Sequence, residues 1–185
     1  MKHDICPWYL GYILANPLRR LYQNPEKIIS PYCKPGMRVL EIGPGMGFFS
    51  LPMAEKVGSG GKIFCVDVQE KMLRTLRRRV VRRKLDNIIE TRLCSESSLE
   101  ISDTKGTIDF VLAFYVVHEI PNADILFDEI AASLRPEGIL LIAEPSGHVD
   151  RTSFAELLRR AEAHGFRSIA SPDIRGSHAA LLKHF

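Results

Sequence analysis

The chain has 185 residues, of which 45% are hydrophobic and 25% charged, and a formal net charge of +3. That length suits one domain large enough to bury a full core, and the composition is that of an ordinary globular protein. No apolar run approaches the ~20 residues that cross a bilayer, so no membrane span is expected, and so small a net charge implies no nucleic acid partner. Asp4, Pro7, Asn16 and Pro17 interrupt the N-terminal apolar residues, so no signal peptide is read there. Cys6, Cys33, Cys65 and Cys94 lie far apart without a C-x-x-C pair. This spacing argues against a zinc site or a disulfide scaffold and for a reducing cytoplasm.

Residues 1–30 fall outside the repeating pattern that follows. They hold the aromatic-rich stretch Trp8–Leu14, a short basic helix from Leu18 to Gln23, and Asn24-Pro25. That pair reads as an N-cap and first helical residue opening a helix to about Tyr32. This segment is expected to form a helical cap on a core domain of residues 31–185, with most of its residues packed against the sheet edge or the segment closed over the ligand site as a lid. From residue 36 onward strands and helices alternate, which predicts βαβ units and a mostly parallel sheet. The strands are read at Val39–Ile42, Lys62–Val68, Ile88–Leu93, Ile108–Phe114 and Ile139–Ala143. The helices are read at Phe48–Glu55, Glu70–Lys84, Asp124–Leu134 and Ser153–His164. Two last strands, Arg167–Ser171 and His178–Lys183, have no helix between them and should pair antiparallel.

The densest signal is Val39-Leu-Glu-Ile-Gly-Pro-Gly-Met-Gly-Phe-Phe-Ser50. A buried strand runs into Gly43, Pro44, Gly45 and Gly47, and then into a helix N-terminus whose amides can face a ligand. A dinucleotide fingerprint places its third glycine three residues after the second, where this chain has Phe48. Glu41, at the strand end, would repel a pyrophosphate and suits a cationic ligand such as an ammonium or a sulfonium. Asp67, about twenty residues after the turn, can accept both hydroxyls of a ribose and is followed by Val68. Ser95 or Glu96, after the third strand, can accept from the adenine amine. Phe114 and Tyr115, at the end of the fourth, offer aromatic faces. His118 titrates near neutrality and is a candidate base, with Glu144 and His148 as weaker candidates on the same rim. The bland alternatives are a capping aspartate for Asp67 and a loop-bonding histidine for His118. The run from Arg74 to Lys84 reads as the outer face of an amphipathic helix, because no aromatic residues are interleaved to stack bases.

With these residues the chain resembles the class I S-adenosylmethionine-dependent methyltransferases, in their small-molecule-type, Rossmann-like form. The E-x-G-x-G-x-G pattern from Glu41 resembles motif I of that family, and Asp67 matches its ribose acid. Where many members carry an aspartate after the third strand, this chain has Ser95. The N/D-P-P-Y tetrad of amino-methylating nucleic acid enzymes is absent. The resemblance implies an α/β fold: a seven-stranded, mostly parallel sheet with a C-terminal antiparallel strand pair and helices on both faces. It also implies S-adenosylmethionine as cofactor and a small-molecule acceptor. Glu41, Gly43, Pro44, Gly45, Gly47, Asp67, Val68, Ser95, Glu96 and Phe114 would be cofactor contacts, and His118 and Tyr115 catalytic residues. Two rival readings stay open, a non-catalytic cofactor-binding or scaffold protein and a nicotinamide-dependent oxidoreductase. Cys6, Cys33 and Cys94 leave open a thiol or metalloid acceptor, without support from their spacing.

Overall fold

A computed structural model of the chain describes residues 22–185. The aromatic stretch and most of the basic helix expected near the N-terminus lie outside the described residues. Helix α1 (Pro25–Ile29) starts where Asn24 caps it: the Asn24 side chain accepts from Lys27 N at 3.1 Å, and proline occupies the first helical position. It then alternates with strands through β1 (Arg38–Ile42), α2 (Ser50–Val57), β2 (Lys62–Asp67), α3 (Glu70–Arg82) and β3 (Ile89–Leu93). Next come β4 (Ile108–Phe114), α4 (Ala123–Ser133), β5 (Leu134–Pro145), α5 (Arg151–Ala163), β6 (Phe166–Ala170) and β7 (Ser177–His184). The seven strands form one sheet in the order β3-β2-β1-β4-β5-β7-β6.

The chain divides into two compact units, with the boundary between Cys94 and Ser95. In the first, β1–β2 and β2–β3 pair in parallel, so Glu41 stands beside Cys65 in register. Val39, Leu40, Ile63, Leu73 and Leu76 are fully buried and form its core. Helix α1 belongs to this unit: Pro25 and Ile29 are buried, and Lys56 of α2 donates to Ser30 Oγ at 2.9 Å. The helix expected to run on to Lys84 ends at Arg82, because Lys84 takes φ 56°, a left-handed conformation that closes the turn.

In the second unit β4 pairs with β5 in parallel, while β5–β7 and β6–β7 are antiparallel. The absence of a crossover helix before β7 forces this reversal, as the sequence predicts. Strand β5 starts at Leu134, five residues earlier than expected, because Leu134 already pairs with Ile108 before the register shifts toward Phe110. Phe127 of α4 is fully buried, and its ring centroid lies 5.9 Å from that of Phe166. Truncating it leaves a cavity in a close-packed interior. Phe127→Ala should therefore lose about 3–5 kcal/mol of stability, read as a lower denaturant midpoint at unchanged slope.

Candidate functional site

In sheets of this kind ligands bind beyond the carboxyl ends of the strands, and each unit presents such a rim. In the first, β1 ends with Glu41 and Ile42, and the chain reverses through three glycines with φ 65°, 54° and 88°. A Cβ on Gly45 would meet nothing within 4 Å, so the backbone there faces open space that a ligand can enter. A Cβ on Gly47 would lie 2.5 Å from Leu76 Cδ1, so that glycine lets α3 pack against the turn. Arg79 of α3 donates to the Met46 carbonyl and holds the turn from behind.

Glu41 is 3% exposed. Ser50 Oγ, in the first turn of α2, donates to its Oε2, and Cys65 Sγ approaches the same oxygen at 3.6 Å. Oε1 accepts from no described residue. Burial pushes this carboxyl up to about 7, against the opposing effect of the two hydrogen bonds. The same desolvation holds the Cys65 thiol well above its ordinary range. At the end of β2, Asp67 is buried, and its Oδ1 accepts from Gln69 N at 2.8 Å. The adjoining strand end is tied to it, with Cys94 N donating to the Asp67 carbonyl at 3.1 Å.

In the second unit Ser95 and Glu96 lie in an exposed tight turn, where Ser95 N donates to the Ser98 carbonyl at 3.2 Å. At the end of β4, Phe114 is buried and its ring centroid is 4.4 Å from that of Tyr115. Tyr115 takes φ 61°, which costs a residue with a Cβ about 1–2 kcal/mol. Bonds to neighbouring strands hold it there. Its N donates to the Ala143 carbonyl at 2.7 Å, and its hydroxyl lies 2.7 Å from Ser177 Oγ at the start of β7.

The next turn, Val117–Glu119, holds His118. Its Nδ1 is hydrogen-bonded to Glu144 Oε2, while Glu144 Oε1 accepts from Val117 N at 2.8 Å. Glu144 is fully buried at the end of β5. A carboxylate only accepts, so the proton sits on Nδ1 and Nε2 carries the ring's lone pair. The hydrogen bond to Glu144 raises the imidazole above its ordinary value, more than partial burial lowers it, and Glu119 adds to the rise. The His148 ring lies nearly parallel to that of His118, with centroids 6.4 Å apart. The sequence reading ranked Glu144 as a separate and weaker candidate; it is the residue that orients His118. The available signal was position, since Glu144 ends β5 as Glu41 ends β1. Cys33 is fully buried, its thiol pushed up to about 11 by desolvation, so it is inert as an acceptor in the folded protein. Cys6 lies outside the described residues.

An open-faced glycine turn beside a buried carboxylate, on a sheet with a terminal antiparallel pair, defines a Rossmann-like protein that takes a cofactor with a cationic end. Residues 33–171 match the family described as a methyltransferase domain. The chain belongs to that family, in its class I S-adenosylmethionine-dependent type, and its cofactor is S-adenosylmethionine. An arsenite methyltransferase of Halobacterium salinarum is 31% identical over 110 residues, 60% of this chain and 27% of the relative. A ubiquinone/menaquinone biosynthesis C-methyltransferase of Paraburkholderia phymatum is 30% identical over 111 residues, 60% of this chain and 44% of the relative. The chain thus spans less than half the length of these curated relatives. The crystal structure of an S-adenosylmethionine-dependent methyltransferase from Aquifex aeolicus has the same fold. Its TM-score is 0.85 at 24% identity, with 96% of this chain and 98% of that one covered.

The residues fit this cofactor on the structure's own terms. Gly45 leaves room at the turn, and the buried Glu41 keeps one carboxylate oxygen without a described partner. Among the described residues no helix is long and apolar enough to cross a membrane. Gly47→Ala must push a Cβ into Leu76 from a left-handed backbone, so it should lose roughly 1–3 kcal/mol of stability in thermal or denaturant unfolding. Gly45→Ala shares the left-handed backbone but meets no side chain, so it should cost less. The His118 imidazole, followed by NMR, should titrate above 6.5 and fall back toward that value in Glu144→Gln. Because the folded value is raised, the pair's stabilisation is fully present below about pH 6.5 and is lost as pH rises through the folded pKa.

Proposed function

We propose that the chain transfers the S-adenosylmethionine methyl group to a small molecule whose attacking atom must give up a proton. The observation that carries this reading is His118 held by the fully buried Glu144. A base oriented this way serves an acceptor that arrives protonated, and would be superfluous for a free amine. The names of the two curated relatives, one for arsenite and one for ubiquinone/menaquinone biosynthesis, support a small acceptor.

On this reading Glu41, Gly43, Pro44, Gly45 and Gly47 hold the amino-acid portion of the cofactor, and Asp67 with Val68 the ribose. Ser95 or Glu96 accepts from the adenine amine, with Phe114 against its face. Residues 1–30, in part, would cap the acceptor. When bound, the cofactor supplies a methyl group on a sulfonium that leaves readily. The chain's task is alignment, which in well-ordered cases supplies on the order of 7–11 kcal/mol. His118 Nε2 takes the acceptor's proton as the acceptor–methyl bond forms and the sulfur–methyl bond breaks. Glu144 then stabilises the imidazolium. Tyr115, fixed through Ser177, forms a wall facing the acceptor.

A transfer screen with methyl-labelled cofactor against pooled metabolites tests this directly. Cofactor binding without transfer to any pool would favour the non-catalytic reading. With an acceptor found, His118→Ala should lower kcat by about 10²–10⁴ while leaving cofactor affinity unchanged. Activity should fall as pH drops through the raised His118 value, and Glu144→Gln should move that limb to lower pH. Asp67→Ala should weaken cofactor binding more than tenfold in calorimetry; unchanged affinity would remove its ribose role. The cofactor's ammonium favours ionised Glu41, so affinity should rise with pH through about 7, and Glu41→Gln should flatten that dependence.

A further inference from the structure

Residues 70–84 hold eight of the chain's 25 Lys and Arg beside a single acid, Glu70. This segment therefore carries +7 while the whole chain carries +3, and the remainder is net negative. The structure separates the cations that serve the fold from those that do not. Arg77 bonds Glu70 at 2.9 Å and Thr91 Oγ1 at 2.6 Å; Arg83 pairs with Glu55 at 2.8 Å; Arg79 holds the Met46 carbonyl. Arg74, Arg78 and Arg82 are exposed and make no ion pair or hydrogen bond among the described residues.

These three arginines recur every fourth residue, so each is turned about 40° from the last. With Lys71, exposed in the first turn of α3, they fill an arc of about 80° and a line roughly 16 Å long. Like charges at this spacing repel one another and disfavour the helix in isolation. Val81, 64% exposed, projects from the same face. On β3, Leu93 is 50% exposed and shares a strand face with Thr91, the partner of Arg77.

We propose that this face of α3 docks on an anionic phospholipid surface. The row of Arg74, Arg78 and Arg82, without an ion pair among the described residues and with the exposed Val81 beside it, matches the headgroup boundary, where phosphates meet the first methylenes. A nucleic acid strand fits less well: the outward arc of α3 carries no aromatic side chain to stack a base and no amide to read one. The contact is peripheral and involves none of the residues assigned to the cofactor or the proton transfer. It therefore stands or falls separately from the methyl-transfer reading.

The test is co-sedimentation of the full chain with vesicles of equimolar phosphatidylcholine and phosphatidylglycerol, beside vesicles of phosphatidylcholine alone. The expected result is binding to the mixed vesicles only, weakening as salt is raised. The triple variant Arg74→Gln, Arg78→Gln, Arg82→Gln should lower that binding at least about tenfold, with unfolding and cofactor binding as in the wild type. A charge-matched control, Arg83→Gln, Arg159→Gln, Arg160→Gln, should bind nearly as well as the wild type. Three results would overturn the proposal: equal or absent binding to both vesicles, equal losses in the two triple variants, or tighter binding to poly(U) RNA than to the mixed vesicles.

Discussion

Removing a carboxylate from water costs several kcal/mol unless hydrogen bonds replace the lost hydration. Glu41 and Glu144 impose that condition at the ends of β1 and β5, where each is almost or fully buried. The first unit meets it with two neutral donors, the Ser50 hydroxyl and the Cys65 thiol. The second meets it with the Val117 amide and the His118 ring. The choice of donor decides the chemistry. Around Glu41 burial outweighs its two neutral donors and leaves the carboxyl raised to about 7. An imidazole donor turns Glu144 into the group that fixes a tautomer and makes its partner a stronger base.

The local backbone follows from these buried ends. The turn after β1 must reverse sharply while keeping one side open and the other tightly packed. Two glycines divide that work, Gly45 toward open space and Gly47 toward Leu76. The turn after β4 has no glycine, and Tyr115 takes the left-handed conformation in its place. Bonds to Ala143 and Ser177 hold it there, so strain at the rim is supported by β5 and β7. The antiparallel β7 therefore also braces an aromatic side chain on the rim.

Helix α3 shows how pairing changes the meaning of a charge run. Its apolar positions Met72, Leu73, Leu76 and Val80 bury one side, as their spacing requires. The remaining arginines look equivalent along the chain. In the folded protein three of the segment's cations act inside the first unit, and Arg74, Arg78 and Arg82 face outward with no acid to answer them among the described residues.

Strand and helix order, the antiparallel ending and the glycine turn with Glu41 and Asp67 were all legible along the chain. Each depends on periodicity or on residues within one βα unit, which local spacing encodes. Element ends were less legible. Lys84 and Leu134 lie where a left-handed residue and an early strand pair override propensity. Most of the candidate site could be named residue by residue, because each lies at a strand's carboxyl end. Their partnerships could not. His118 and Glu144 are 26 residues apart, and Glu41 and Cys65 are 24 apart. Only the register of neighbouring strands brings such pairs within hydrogen-bond reach. The sequence by itself determined the fold and the kind of cofactor. The tertiary structure decided which carboxylate orients His118 and which arginines stay unpaired among the described residues, because both depend on contacts between residues far apart in the chain.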